Sequence, residues 1–350
     1  MDIYAARIAS GLRSIERSVE EWTPRSSLER FDGSRSVMRW LRYVTYPLQL
    51  KRLLAQTNTV DIHHVVDHGY AHLIRALPKS RSVITVHDLI PLLAWRGELG
   101  ESVRTRPPIF AQYSARHLSK FSKLIAASCH TARDLVRILG VNASQIEVVS
   151  PSLSAQFKRC TDPEIQRYRT THGWNDETFV ILTTGIEFYK NHAVVAQVVN
   201  RLIERGHPVH LLWTAKTAPS DSPLLKLPSR NVTSQFVAYE DLPLLYSSVN
   251  CVLFPSLYEG FGFPVAEALA CGTPVVCSDA ASLPEVGGEC ALFASAHDVD
   301  RLTQLVEHVM VDDSHCRAIK IQGPRHAAQF SAHQVAQQLN GVYEQVTQSA

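Results

Sequence analysis

No run of this chain is apolar for long. The roughly 18 uninterrupted apolar residues that a membrane span needs occur nowhere in its 350 residues. Nor is Met1 followed by the apolar core of a signal peptide. Cysteine is sparse and odd in number: the seven residues at 129, 160, 251, 271, 277, 290 and 316 include no C-x-x-C pair. Several fall inside apolar segments, where a free thiol behaves as a small hydrophobe. This usage argues against a disulfide framework and for a reduced, cytoplasmic protein. Internal repeats and low-complexity tracts are also missing.

What the chain does have is length enough for two ordinary domains and a globular composition, 45% hydrophobic and 19% charged. Its net charge of +2 hides an asymmetry. Residues 1–150 carry 21 Lys+Arg against 13 Asp+Glu, or +8, while 151–350 carry 14 against 20, or −6. A basic first half suits an anionic acceptor or an anionic membrane surface. Ser34–Leu54 concentrates that charge, mixing Arg35, Arg39, Arg42, Lys51 and Arg52 with Trp40, Tyr43, Tyr46 and several leucines. It reads either as a basic segment lying in a membrane interface or as an ordinary helix pair with its arginines in water. No nucleic-acid-binding motif accompanies the charge.

The stretch around which the chain is organised is Val249–Asp279. Val249–Pro255 is an uncharged apolar run, suited to a strand buried on both faces. Ser256–Gly262 follows as a loop with two glycines. Pro264 then stands where a helix begins, a place where its missing N–H costs nothing. Gly272 is a natural left-handed stop, and Val275–Cys277 opens the next strand. The pattern predicts a βαβ unit whose glycine loop feeds a helix N-terminus.

Such a terminus attracts phosphate, and Gly260 and Gly262 let a ligand approach the backbone. Glu259 lies in the loop. Glu267 lies one turn into the helix, where a carboxylate can accept both hydrogens of a ribose diol. Alone, either Glu would read as a solvated loop acid or a partner of the helix dipole. The bracketing glycines, the proline and the absence of other charge from Val249 to Cys277 favour one ligand held at two places. A sugar would lie near Glu259 and a nucleoside near Glu267.

Glu259-Gly260-Phe261-Gly262-Phe263-Pro264-Val265-Ala266-Glu267 resembles the E-x7-E motif of retaining glycosyltransferases of family four, which have the GT-B fold. Glu240–Pro243, Phe254–Ser256, Cys271–Val276 and Leu283–Val286 resemble the same family, and the similarity is dense from about Val180 to Phe293. The resemblance implies two Rossmann-like α/β domains facing a cleft. Residues 1–150 would bind the acceptor and 151–350 the nucleotide sugar, with the last helix, Ala332–Val346, able to pack back on the first domain. Relatives open with a strand and a glycine-rich turn, whereas this sequence begins at the following helix, over residues 3–21. The first sheet is therefore expected to lack a strand, or the chain to be truncated.

The resemblance also assigns roles. After the strand Phe179–Thr184 and Gly185, relatives place an Arg-Lys pair on the donor diphosphate. Here Lys190 is kept and Tyr189 stands where the Arg is expected. An ammonium beside departing phosphate oxygens stabilises charge that develops in the transition state, while a hydroxyl replaces only one hydrogen bond. His87 and Asp88 follow the strand Ser82–Val86, at the end that lines the ligand crevice of an open α/β sheet. The run His87–Leu92 resembles a family segment whose His contacts the donor sugar; in isolation it would read as a turn with an Asp cap.

The expected activity is retaining transfer of a mannose-like or glucose-like hexose from a nucleotide diphosphate sugar to a glycan or lipid-linked hydroxyl, as in polysaccharide or lipopolysaccharide assembly. Lys190 and the helix start Phe263–Val265 would stabilise the diphosphate. Glu259 and the Gly260–Phe263 amides would orient the sugar, and Glu267 would hold the ribose. No metal or cofactor is expected. Asp298-Val299-Asp300 is formally a D-x-D motif but precedes apolar helical spacing, so it reads as a cap. His63, His64, His68 and His72 lack ligand spacing and read as structural. Three rivals stay open: a nucleotide-sugar epimerase, a sugar phosphorylase of the same architecture, and a catalytically weak binding subunit, to which Tyr189 and the missing strand point.

Overall fold

The computed structural model describes residues 2–23, 35–56, 60–100, 109–215, 217 and 219–349. The chain divides into two compact units, Met1–Ser152 with Ala332–Ala350, and Leu153–Ser331.

The first unit contains a four-stranded parallel sheet in the order β1 (His63–Val65), β2 (Ser82–Val86), β3 (Lys123–Ala126) and β4 (Ile146–Val148). All five residues of β2 are buried, as a parallel strand covered on both faces requires. Helix Asp2–Ser14 packs Tyr4, Ile8 and Leu12 against Val83 and Ile125 of the sheet. The same cluster takes in Val335, Leu339, Val342 and Val346 of helix Ala332–Gln348. That apolar seam carries the last helix into the first unit, so the second ends at Ser331 rather than at 350. Beside it runs a polar chain. His64 Nδ1 lies 2.7 Å from the Tyr343 hydroxyl and Nε2 2.8 Å from Thr85 Oγ1, which is 3.2 Å from the Tyr4 hydroxyl.

Two expectations change here. The helix read over 3–21 ends at Ser14, because Glu16 takes a left-handed φ of 62°. The Glu16 and Arg17 amides then donate to the Arg13 and Leu12 carbonyls, the pattern of a Schellman stop. A glutamate at a position that usually takes glycine leaves no mark in the sequence. Residues 35–54 form one helix, Arg35–Leu54, with Pro47 inside it, not a pair. Ser34 and the side chains of residues 35–42 lie outside the described residues. No helix among the described residues is long and apolar enough to cross a membrane.

The second unit holds six parallel strands. They are β5 (Phe179–Thr184), β6 (Val209–Thr214), β7 (Val232–Gln235), β8 (Cys251–Phe254), β9 (Val275–Ser278) and β10 (Leu292–Ala294), in the order β10-β9-β8-β5-β6-β7. β8 and β9 are buried throughout. β7 is shorter than the strand read over 231–239, being a partly exposed edge. From β5 the chain moves to β6 and β7 on one side, then crosses to β8 on the other. β5 and β8 therefore flank the topological switch point, where ligands of open α/β sheets bind beyond the strands' carboxyl ends. Asp298 caps helix Val299–Val311 by accepting from the Arg301 amide at 2.9 Å.

Candidate functional site

Two loops leave the carboxyl ends of β5 and β8, and side chains stitch them together. In the first, Gly185 has φ 84° and its carbonyl accepts from Trp213 Nε1 at 2.7 Å. Lys190 closes the short 3-10 turn Phe188–Lys190, and Asn191, with φ 58°, starts helix His192–Glu204. Asn191 Nδ2 donates to the Pro255 and Ala296 carbonyls at 3.1 and 2.7 Å, while the Leu257 amide donates to the Tyr189 carbonyl at 2.7 Å. The join brings Lys190 Nζ to 2.8 Å from Glu259 Oε1. Only 9% of Lys190 and 8% of Glu259 is exposed, so water screens the pair poorly. The ammonium also lies 4.6 Å from the Phe254 ring centroid and 5.2 Å from that of Tyr189.

The glycine loop is held from below. Ser282 Oγ, fully buried, lies 3.0 Å from the Glu259 carbonyl oxygen and 2.7 Å from that of Phe261. Gly262 adopts φ 104°, and a Cβ there would meet Leu283 Cδ2 at 2.7 Å, so both backbone and space demand glycine. Helix Phe263–Ala270 follows with Pro264 in its first turn. The Val265 amide donates to the Gly262 carbonyl at 3.0 Å and proline has no amide. Of the helix start expected to serve phosphate, those two positions thus contribute no N–H. The Phe261 and Phe263 rings pack edge to face at 5.1 Å, Phe261 in the core and Phe263 against it.

Glu267 sits one turn further on, 7% exposed. Its Oε2 accepts from the Tyr246 hydroxyl at 3.0 Å. Burial, and then the neighbouring carboxylate, pushes the Tyr246 pKa well above the ordinary tyrosine range. This phenol therefore stays a donor.

His87 and Asp88 stand in the first unit, beyond β2. His87 Nε2 lies 2.9 Å from the Val66 carbonyl oxygen, and the Tyr4 ring meets the imidazole edge-on at 4.7 Å. Burial lowers the His87 pKa, which favours the neutral ring donating from Nε2. Asp88 Oδ1 accepts from the Ile90 amide at 3.0 Å, capping the start of helix Ile90–Arg96. All the other predicted site residues lie in the second unit, on its two loops and on helix Phe263–Ala270. Sequence reasoning missed Tyr246, Ser282, Asn191 and Trp213. Ser282 immediately precedes Leu283-Pro284-Glu285, and Asn191 is a residue type that tolerates left-handed backbone, so those two left a signal.

Among the described residues, no group of three or more His, Cys, Asp or Glu is placed to hold a metal ion.

Known proteins resemble both halves of the chain. Residues 6–156 match the family described as Glycosyltransferase Family 4, and residues 178–312 match Glycosyl transferases group 1. The O-antigen chain mannosyltransferase B of Escherichia coli is 28% identical over 284 residues, covering 75% of this chain and 70% of that protein. The serotype-specific mannosyltransferase WbdA of Escherichia coli is 27% identical over 267 residues, and 32% of its length is covered. Among solved structures, a sucrose-phosphate synthase from Thermosynechococcus elongatus superposes with a TM-score of 0.78 at 18% identity, covering 99% of this chain and 94% of the other. Anabaena HepE, in complex with UDP and glucose, gives 0.69 at 16% identity, with 98% and 95% covered. The two parallel-sheet α/β units are those of the GT-B fold, and the chain belongs to glycosyltransferase family four.

Proposed function

We propose that this glycosyltransferase moves a hexose, mannose before glucose, from a nucleotide diphosphate sugar to a hydroxyl of a glycan or lipid-linked acceptor. The observation that carries the reading is the arrangement at the β5/β8 switch point. A buried lysine meets one acid of a glycine loop, and a second acid is held by a buried tyrosine one helical turn on. The mannosyltransferase names of the curated relatives, and the UDP and glucose bound to HepE, support the substrate class. The O-antigen relative supports a place in polysaccharide or lipopolysaccharide assembly.

In this reading Lys190 neutralises the leaving diphosphate, Glu259 orients the sugar hydroxyls and Glu267 accepts from the ribose diol. The loop amides and Phe263 serve phosphate and sugar, and His87 is assigned to the sugar by resemblance. The bond from the anomeric carbon to the phosphate oxygen breaks as the acceptor oxygen attacks the same face. Its proton passes to the departing phosphate oxygen, which accounts for retention without an enzymatic nucleophile. No metal is required, because Lys190 supplies the cation.

The test is a thermal-shift panel of UDP, GDP, dTDP and ADP on wild type and Glu267→Ala. A ligand of the native form raises its melting temperature by mass action. One nucleotide should stabilise wild type and lose its effect in the variant. No shift with any of them refutes the reading. NMR of the product's anomeric proton then decides retention.

A further inference from the structure

We infer that Glu259 occupies the donor diphosphate's place on Lys190, so that donor binding exchanges one anion for another. The inference rests on the donor reading above. Lys190 Nζ contacts Glu259 Oε1 at 2.8 Å with both side chains nearly withdrawn from water. A buried ion pair holds only while both partners stay, because removing one strands the other's charge. The other acid of this loop, Glu187, instead accepts from the Ile186 amide at 3.1 Å.

The two rings beside the ammonium give the exchange its path. The Phe254 centroid at 4.6 Å and the Tyr189 centroid at 5.2 Å attract a cation without neutralising it. They hold Lys190 near its place while its counter-ion changes. Tyr189 has a second effect. It adds a ring and no charge beside the Lys190–Glu259 pair.

A diphosphate carries more charge than a carboxylate and takes the ammonium in stronger, charge-assisted hydrogen bonds. Once released, the Glu259 carboxylate, an acceptor only, turns to the sugar hydroxyls. A single event thus clamps the leaving group and frees the residue that orients the sugar.

The consequence has an unusual sign. Replacing an ordinary ligand contact weakens binding. Glu259→Gln removes the internal competitor and leaves Lys190 a buried cation in want of an anion. That variant should bind the nucleoside diphosphate at least about tenfold more tightly while its transfer rate falls, because the sugar loses its acceptor. Isothermal titration is run with UDP, GDP, dTDP and ADP on wild type, Glu259→Gln and Lys190→Met. Binding by wild type, tightening in the Gln variant and loss in the Met variant support the exchange. Binding by wild type with equal or weaker binding in Glu259→Gln overturns the exchange and leaves the donor reading standing. Absence of binding in wild type sinks both. Should Glu259→Gln fail to fold, Glu259→Asp, one methylene shorter, should tighten binding about threefold; unchanged or weaker binding there overturns the exchange equally.

Discussion

Removing the Tyr246 hydroxyl should damage ribose recognition more than catalysis. Tyr246 is 1% exposed and Glu267 7%, so in Tyr246→Phe water cannot readily replace the 3.0 Å bond to Glu267 Oε2. A hydrogen bond to a charged group contributes roughly 1.5–3 kcal/mol. A midrange loss of about 2 kcal/mol lowers the melting of a domain this size by about 4–8 °C. The second consequence is directional. With one oxygen no longer held, the Glu267 carboxylate can rotate away from the diol, and losing about 1–2 kcal/mol there raises the Kd for a ribonucleoside diphosphate about 5- to 30-fold. The value of kcat should stay within about twofold. Calorimetry with matched ribo and 2′-deoxyribo diphosphates separates the two effects. Wild type should prefer the ribo form, and the Phe variant should lose most of that preference. If the variant melts lower yet discriminates as wild type does, Tyr246 serves only the core and the ribose assignment of Glu267 loses its support.

His64 is a half-buried neutral base whose pKa desolvation lowers to about 3 from 6.5. Its contribution to stability is complete above pH 6.5 and falls by about 1.4 kcal/mol for each unit of acidification toward the folded value. His64→Gln should therefore melt lower at pH 7.5 but show a flatter decline between pH 6.5 and 5; equal slopes in scanning calorimetry would discount this. Gly262→Ala, at φ 104° and 2.7 Å from Leu283, should cost about 2 kcal/mol and at least about tenfold in diphosphate affinity. Gly206→Ala, left-handed but in open space, should leave affinity unchanged. Arg169 donates to Ser248, Asn175 and Thr178 carbonyls and to Asn250 Oδ1 at 2.8–3.1 Å. Arg169→Lys cannot reproduce that fork and should lose about 2–4 kcal/mol in urea unfolding, with nucleotide affinity intact.

The legible parts of the chain are those whose cause is local. Buried parallel strands announce themselves as uncharged runs, and the Gly260–Gly262 loop with Pro264 identifies its helix within nine residues. The supports of that loop come from a distance: Tyr246 reaches Glu267 from 21 positions back, and Ser282 reaches Glu259 from 23 ahead. A buried tyrosine or serine has no pattern that tells a loop support from a packed core residue. The Glu16 stop was hidden for another reason, since a glutamate at a left-handed φ of 62° leaves no glycine to mark the helix end. Asp88 reads both as a site residue and as a cap, and only the 3.0 Å bond to the Ile90 amide reveals the cap. The last helix could be read from its periodicity, but its partner, helix Asp2–Ser14, lies at the other end of the chain.

The supports share a chemistry that explains how two loops can form an anion site. Apart from Tyr246, each acts on a carbonyl oxygen: Ser282 on Glu259 and Phe261, Trp213 on Gly185, Asn191 on Pro255 and Ala296, and Ser278 Oγ, at 2.5 Å, on Ser256. In a planar trans peptide the N–H points opposite to its own C=O. Holding the Glu259 and Phe261 carbonyls toward Ser282 therefore turns the Gly260 and Gly262 amides the other way. Successive amides aimed in one direction make an anion-binding concavity, and the glycines keep side chains out of it. Glu259 alone would repel a phosphate at that place. In the proposed function Lys190 offsets that charge, and the anchored carbonyls aim the loop amides at the donor.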